Sequence, residues 1–192
     1  MKILLDNGHG SNTPGKRSPI WSDGSQLFEW EFNREVVRLI VNSFEYYEIN
    51  YEIITPEELD VSLTERIRRV NNLSKNEECF LISIHANAGG GTGFEIFTSP
   101  GQTKSDEYAT VIFNVASQML PGWRMRKDTS DGDPDKEANF ALLKRTICPA
   151  VLTENMFMDT EKDCKFLMSE DGREIIADIH VQAVLDILNR AV

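Results

Sequence analysis

Short, nearly uninterrupted apolar runs alternate along this chain with longer stretches whose apolar residues recur every three or four positions. The runs Lys2–Asp6 (KILLD), Cys79–Ile84 (CFLISI) and Pro149–Thr153 (PAVLT) have almost no polar face, so strands built from them must be covered on both sides. The amphipathic stretches between them supply that cover. Helices are predicted from about Leu27 to Phe44, from the Ser62-Leu63-Thr64-Glu65 capping box onward, over Lys104–Leu120 and from about Gly172 to Leu188. Further strands are expected over Tyr46–Thr55 and Gly93–Ser99. The pattern predicts an α/β fold: one domain over residues 1–192, with a twisted, mostly parallel sheet and helices on both faces.

Each of the three apolar runs ends in a residue that can carry chemistry. The first leads into Asn7-Gly8-His9-Gly10, the second into His85-Ala86-Asn87 and the third into Glu154-Asn155. If the three strands are parallel neighbours, their carboxyl ends share the edge where open α/β sheets place their sites. A histidine or carboxylate at the end of an apolar strand needs a partner, because a buried polar group without one is costly. The first helix offers a further ligand. Glu31, Glu35 and Arg38 share a polar stripe, whereas Glu29 aligns with Asn33, Val36 and Ile40 at the margin of the buried face. His9, Glu29 and His85 would make a two-imidazole, one-carboxylate metal set with an open position, and Glu154 a general base beside it. His180, among Ile176, Ile179 and Val184, reads as structural.

Two motifs point elsewhere and fail on detail. Gly10–Lys16 (GSNTPGK) has the spacing of a phosphate loop, but Arg17 stands where Ser or Thr should meet magnesium, and Pro19 disfavours a following helix. Asp131, Asp133 and Asp135 resemble the start of a calcium loop, but Lys136 replaces the required Gly and Leu142 the final Glu, so a solvated acidic loop is expected. A formal net charge of −11 argues against a nucleic-acid partner. Three cysteines are too few for a disulfide framework, and Cys79 and Cys148 are expected to pack as small hydrophobes. No apolar run suits a membrane span or a signal-peptide core, so synthesis in the cytoplasm without a signal peptide is expected.

These motifs, in order, resemble the zinc-dependent N-acetylmuramoyl-L-alanine amidases, the amidase-3 family of cell-wall hydrolases. The resemblance rests on Asp6–Gly10, on Glu29 with Asn33, on Ser62–Arg66, on Ser83–Asn87, on Gly93-Phe94-Glu95 and on Pro149–Glu154 with Phe157 and Asp159 beyond. It runs from about residue 2 to 190. Asn7 stands where the family often has Pro, and Thr153 where an aliphatic residue is usual.

The resemblance implies one zinc ion on His9, Glu29 and His85, with Glu154 catalytic. These are the four residues that spacing brings together. It implies cleavage of the amide between N-acetylmuramic acid and L-alanine in peptidoglycan. The family often adds a wall-binding module, but the resemblance takes up essentially all of these residues, so no separate module is expected. Asn87, Trp123, Arg124 and Arg126 are candidate substrate contacts, and Lys127 lies in the same basic loop. Glu95 is expected either to support the site or to meet solvent. An enzyme of this kind made without an export signal would reach the wall after release or lysis, as an endolysin or an autolysin. The rival readings are a non-haem iron oxygenase on the same ligands and a non-catalytic wall- or nucleotide-binding module.

Overall fold

The computed structural model of the protein describes residues 1–190; the expected domain's Ala191 and Val192 lie outside the described residues. Its strands are β1 (Lys2–Asn7), β2 (Tyr51–Ile53), β3 (Cys79–Asn87), β4 (Glu95–Thr98), β5 (Lys136–Glu137) and β6 (Ala150–Phe157). Its helices are α1 (Glu29–Tyr46), α2 (Leu63–Ser74), α3 (Lys104–Met119), α4 (Ala141–Arg145), α5 (Glu161–Met168) and α6 (Glu170–Arg190). The strands form one sheet in the order β2-β1-β3-β6-β4-β5. All pairings are parallel except β4 with β6. The chain is thus a single α/β domain with a mixed, mostly parallel sheet.

Side chains alternate along the strands, and both sets are buried. Ile3, Leu5, Phe80, Ile82, Ile84 and Val151 enter the larger core with α1, α3, α5 and α6. Leu4, Leu81, Ala150 and Leu152 meet Ile67 and Val70 of α2 and Leu142 and Leu143 of α4. That two-sided cover is why the strand sequences are continuously apolar. Cys79 and Cys148 pack with the second group, as expected.

The element limits differ from the sequence reading where tertiary contacts outweigh local preference. Tyr46 ends α1 instead of opening a strand, and only Tyr51–Ile53 pairs with β1. Phe44 is fully buried and its carbonyl accepts the Ile49 N–H at 2.8 Å, which closes the helix and turns the chain. β3 and β6 run beyond their apolar segments because His85 and Glu154 pair in the ladder. The sequence reading did not include α5. The acidic loop is not wholly solvated: Asp135 is buried against Thr98, which donates to it at 2.6 Å. No described helix is long and apolar enough to cross a membrane.

Candidate metal and active site

Two glycines shape the turn after β1. A Cβ on Gly8 would fall 2.1 Å from Cε1 of His85, so the imidazole lies directly on the Gly8 backbone. A Cβ on Gly10 would fall 2.1 Å from the Asp60 backbone nitrogen. Between them His9 has φ 65°, a left-handed conformation uncommon outside glycine. Side chains from two helices hold it there. Arg34 donates to the His9 carbonyl at 3.1 Å, Arg66 at 3.5 Å, and Asn33 donates to the Gly8 carbonyl at 2.8 Å. Glu29 opens α1, and Asn33 lies four residues on, so one helical face supplies both a candidate ligand and a brace.

His9, Glu29 and His85 come together as expected: one ligand atom from each lies within 4.8 Å of the others. Glu29 Oε1 is 3.0 Å from His85 Nδ1 and 3.4 Å from His9 Nε2, and it accepts the Ala86 N–H at 3.3 Å. The two rings meet edge to face, with centroids 4.9 Å apart. Glu29 Oε2 is buried and accepts no hydrogen bond; the nearest cation is the Lys16 ammonium at 4.0 Å. Burial pushes the Glu29 carboxyl up, but hydrogen bonds from His85 and His9 outweigh it and hold the group well below the usual carboxylate range. Burial pushes His85 down, and Glu29 more than reverses this, so its pKa is raised.

Glu154 lies opposite His85 in the β3–β6 ladder and opposite Glu95 in the β6–β4 ladder. The three side chains therefore form a row across one face of the sheet. Glu154 Oε2 is buried without a hydrogen bond. Burial pushes its pKa up to about 7; His85 opposes that shift and Glu29 reinforces it. Glu95, four per cent exposed, has a different environment. It accepts from Arg126 Nε at 2.9 Å and also from Lys136 and Asn87. Burial pushes Glu95 up, but Lys136 and Arg126 bring it below its ordinary value. Asn155 donates to the His85 carbonyl at 2.9 Å, joining β6 to β3 where the register shifts.

The four candidate substrate contacts fall in different places. Asn87 and Arg126 converge on Glu95, and the Arg126 guanidinium lies 5.0 Å from the Phe157 ring centre. Trp123 is partly buried against Phe166, centroids 4.9 Å apart, with the Lys162 ammonium 4.3 Å from its ring. Arg124 is exposed, and its carbonyl accepts the Phe94 N–H at 2.9 Å. Lys127 is exposed too. A cleft of about 400 Å³ opens beside His9 and His85, walled by Val61, Leu63, Phe140 and Leu152.

Sequence reasoning overlooked the support beneath these groups. Asp6 accepts from Arg66 at 2.7 Å and from Ser83 at 2.6 Å, all three buried. The available signal was Asp6 at the end of a strand with no polar face, where a carboxylate needs buried donors or a cation. His180 is structural, as expected: it lies 2.7 Å from the Ile176 carbonyl and 3.0 Å from the Thr153 hydroxyl.

Paired imidazoles, a carboxylate and an unpaired second carboxylate at the strand ends of an α/β sheet suit hydrolytic chemistry. A sequence profile of the N-acetylmuramoyl-L-alanine amidase family matches residues 3–186, and the chain belongs to that family of hydrolases. It is 30% identical to the sporulation-specific N-acetylmuramoyl-L-alanine amidase of Bacillus subtilis (strain 168), over 98% of this chain and 69% of that protein. It is 25% identical to the endolysin of Bacillus phage SPP1, over 97% of this chain and 66% of that protein. The crystal structure of N-acetylmuramoyl-L-alanine amidase from Clostridium difficile 630 superposes with a TM-score of 0.83 at 26% identity, covering 98% of this chain and 96% of that one.

Proposed function

We propose that the protein is a zinc-dependent enzyme that hydrolyses the amide between the lactyl group of N-acetylmuramic acid and L-alanine in peptidoglycan. The observation that carries this reading is the unpaired Glu154 carboxylate one strand from His85, next to three groups that suit a metal. Two imidazoles and one carboxylate are a donor set for catalytic zinc, and the buried Glu29 Oε2 without a hydrogen bond is free to accept a cation. His9, Glu29 and His85 would hold the ion. Zinc supplies Lewis acidity toward the scissile carbonyl and brings water closer to hydroxide at neutral pH. The imidazoles must be neutral to ligate, and Glu29 raises the His85 pKa, so protonation competes with metal loading as pH falls.

In the reaction Glu154 accepts a proton from the attacking water as its oxygen bonds to the carbonyl carbon. As the carbon–nitrogen bond breaks, Glu154 returns the proton to the departing alanine nitrogen. The products are a lactyl carboxylate and a stem peptide with a free amino end. On that side of Glu154 the Glu95 charge is balanced by Arg126 and Lys136. Asn87 and Arg126 would meet the stem peptide there, and Arg124 and Trp123 would extend the contact along the same loop. The proposed place of action is the cell wall, reached on release or lysis, in the manner of an endolysin or autolysin.

Mass spectrometry of purified peptidoglycan digested with the protein tests this reading. Stem peptides with a free alanine N-terminus should appear, vanish on chelation and return with zinc. Cleavage at another bond, or activity indifferent to chelation, would overturn it.

A further inference from the structure

We propose that Asp106, Asp133 and Asp135 form a second cation site, separate from the histidine cluster, that takes a hard divalent ion, calcium foremost. One carboxylate oxygen from each lies within 4.8 Å of the others. The aspartates come from different parts of the chain: Asp106 from the first turn of α3, Asp133 and Asp135 from the segment leading into β5. The contiguous calcium-loop pattern fails here because the third carboxylate arrives from α3, not from later in the same loop.

The hydrogen bonding leaves oxygens unsatisfied. Asp135 is one per cent exposed, and its Oδ1 accepts no hydrogen bond; nor does the buried Oδ1 of Asp133. Thr98 Oγ1 is 2.6 Å from Asp135 Oδ2 and 3.1 Å from Asp106 Oδ1, but its single proton serves only one of them at a time. Asp106 Oδ2 is occupied in the α3 capping box with the Thr103 N–H. Among the described residues, no Lys, Arg or His makes an ion pair with any of the three; Lys104 pairs with Glu78 and Lys136 with Glu95. Burial and the facing Asp133 push the Asp135 carboxyl up to about 7. Buried carboxylates in contact, without a cation or enough donors, must either hold a proton or bind an ion. All candidate donors are oxygens, which favours calcium over zinc or copper.

An ion here would tie the segment before β5 to the start of α3 and to β4 through Thr98. β5 carries Lys136, which pairs with Glu95 beside Glu154. The site would therefore brace the wall of the proposed active site without touching its reacting groups.

The test uses protein stripped of metal with a chelator and reloaded with one equivalent of zinc in calcium-free buffer, then titrated with calcium chloride by calorimetry and melted with and without it. The expected result is one calcium bound, and a Tm raised by about 5–10 °C at a hundredfold excess over Kd. Asp135→Asn should lose the calcium response, and Asp133→Asn, at a less buried position, should weaken binding at least about tenfold even if the first variant folds poorly. His9→Ala should keep the response, which separates this site from the zinc proposal. Absence of heat and Tm shift in the unaltered protein, or binding unchanged in both aspartate variants, would overturn the inference.

Discussion

His85 and Glu154 are direct neighbours in the parallel ladder of β3 and β6, and they project from the same face of the sheet. One is hydrogen-bonded to Glu29; the other has a buried oxygen with no partner. Neighbouring positions in one sheet thus hold an imidazole fixed by a hydrogen bond and a carboxylate with an unpartnered oxygen.

Glu154→Gln should therefore separate binding from turnover. The amide keeps the shape and removes the base, so zinc content should stay near one per chain while kcat falls by about 10²–10⁴. In the unaltered protein kcat/KM should decline as pH falls, because protonated Glu154 cannot accept the water's proton. Without a metal, burial pushes the Glu154 carboxyl up to about 7. A divalent ion nearby favours the ionised carboxylate and moves the midpoint lower. Retention of most of the activity in Glu154→Gln would remove this residue from the role.

Gly8 and Gly10 should fail in different ways. A methyl group on Gly8 meets the His85 ring, which can move, so Gly8→Ala should keep its circular dichroism and lose zinc affinity by about 10–100-fold. A methyl group on Gly10 meets the backbone at Asp60, which cannot yield without shifting the loop, so Gly10→Ala should instead lower Tm. Zinc titration and melting of both variants check the contrast; equal zinc affinity in Gly8→Ala and the unaltered protein would refute it.

The Asp6–Arg66 pair should prove structural. Both residues are buried, with Nη1 and Oδ1 2.7 Å apart. Removing only the cation leaves an uncompensated buried carboxylate, so Arg66→Met should cost about 3–5 kcal/mol in urea unfolding. Asp6→Asn in the same chain should recover a large part of that loss. A double variant no more stable than Arg66→Met would show that the arginine acts through its other contacts instead, to Asp60 and to the Val61 and His9 carbonyls.

What the sequence disclosed and what it concealed follow from the range of the forces involved. β1, β3 and β6 were legible because burial on both faces demands uninterrupted apolar runs, and His9, His85 and Glu154 were conspicuous as the polar residues ending them. Glu29 was legible from helical periodicity. The limits of α1 and β2 were not, because Tyr46 and Tyr47 suit a strand locally while the buried Phe44 and its bond to Ile49 fix a helix end. The partners of Glu95 were equally hidden. Arg126 and Lys136 lie 31 and 41 residues away in sequence; the bridge between Phe94 and Met125 brings the first to it, and the placement of β5 beside β4 the second.

His180 offers a pH test remote from the proposed metal. The Ile176 carbonyl can only accept, so Nδ1 carries the proton, and Nε2 accepts from the Thr153 hydroxyl. The ring is fully buried and neutral, and burial lowers its pKa to about 4 from an ordinary 6.5. Between those values the unfolded chain binds a proton that the folded chain refuses, so stability rises with pH across that window and is lost as pH falls. The loss approaches about 1.4 kcal/mol per pH unit from this residue alone. His180→Gln removes the titrating group, so it should be less stable than the unaltered protein near pH 7.5, where a hydrogen bond is disturbed, and close most of that gap near pH 4.5. Carboxylates titrate in the same range in both proteins, so the quantity to follow is the difference between their urea unfolding free energies. A difference independent of pH would mean that His180 is protonated in the folded protein or exchanges freely with solvent, and the bonds to Thr153 and Ile176 would then not hold it neutral.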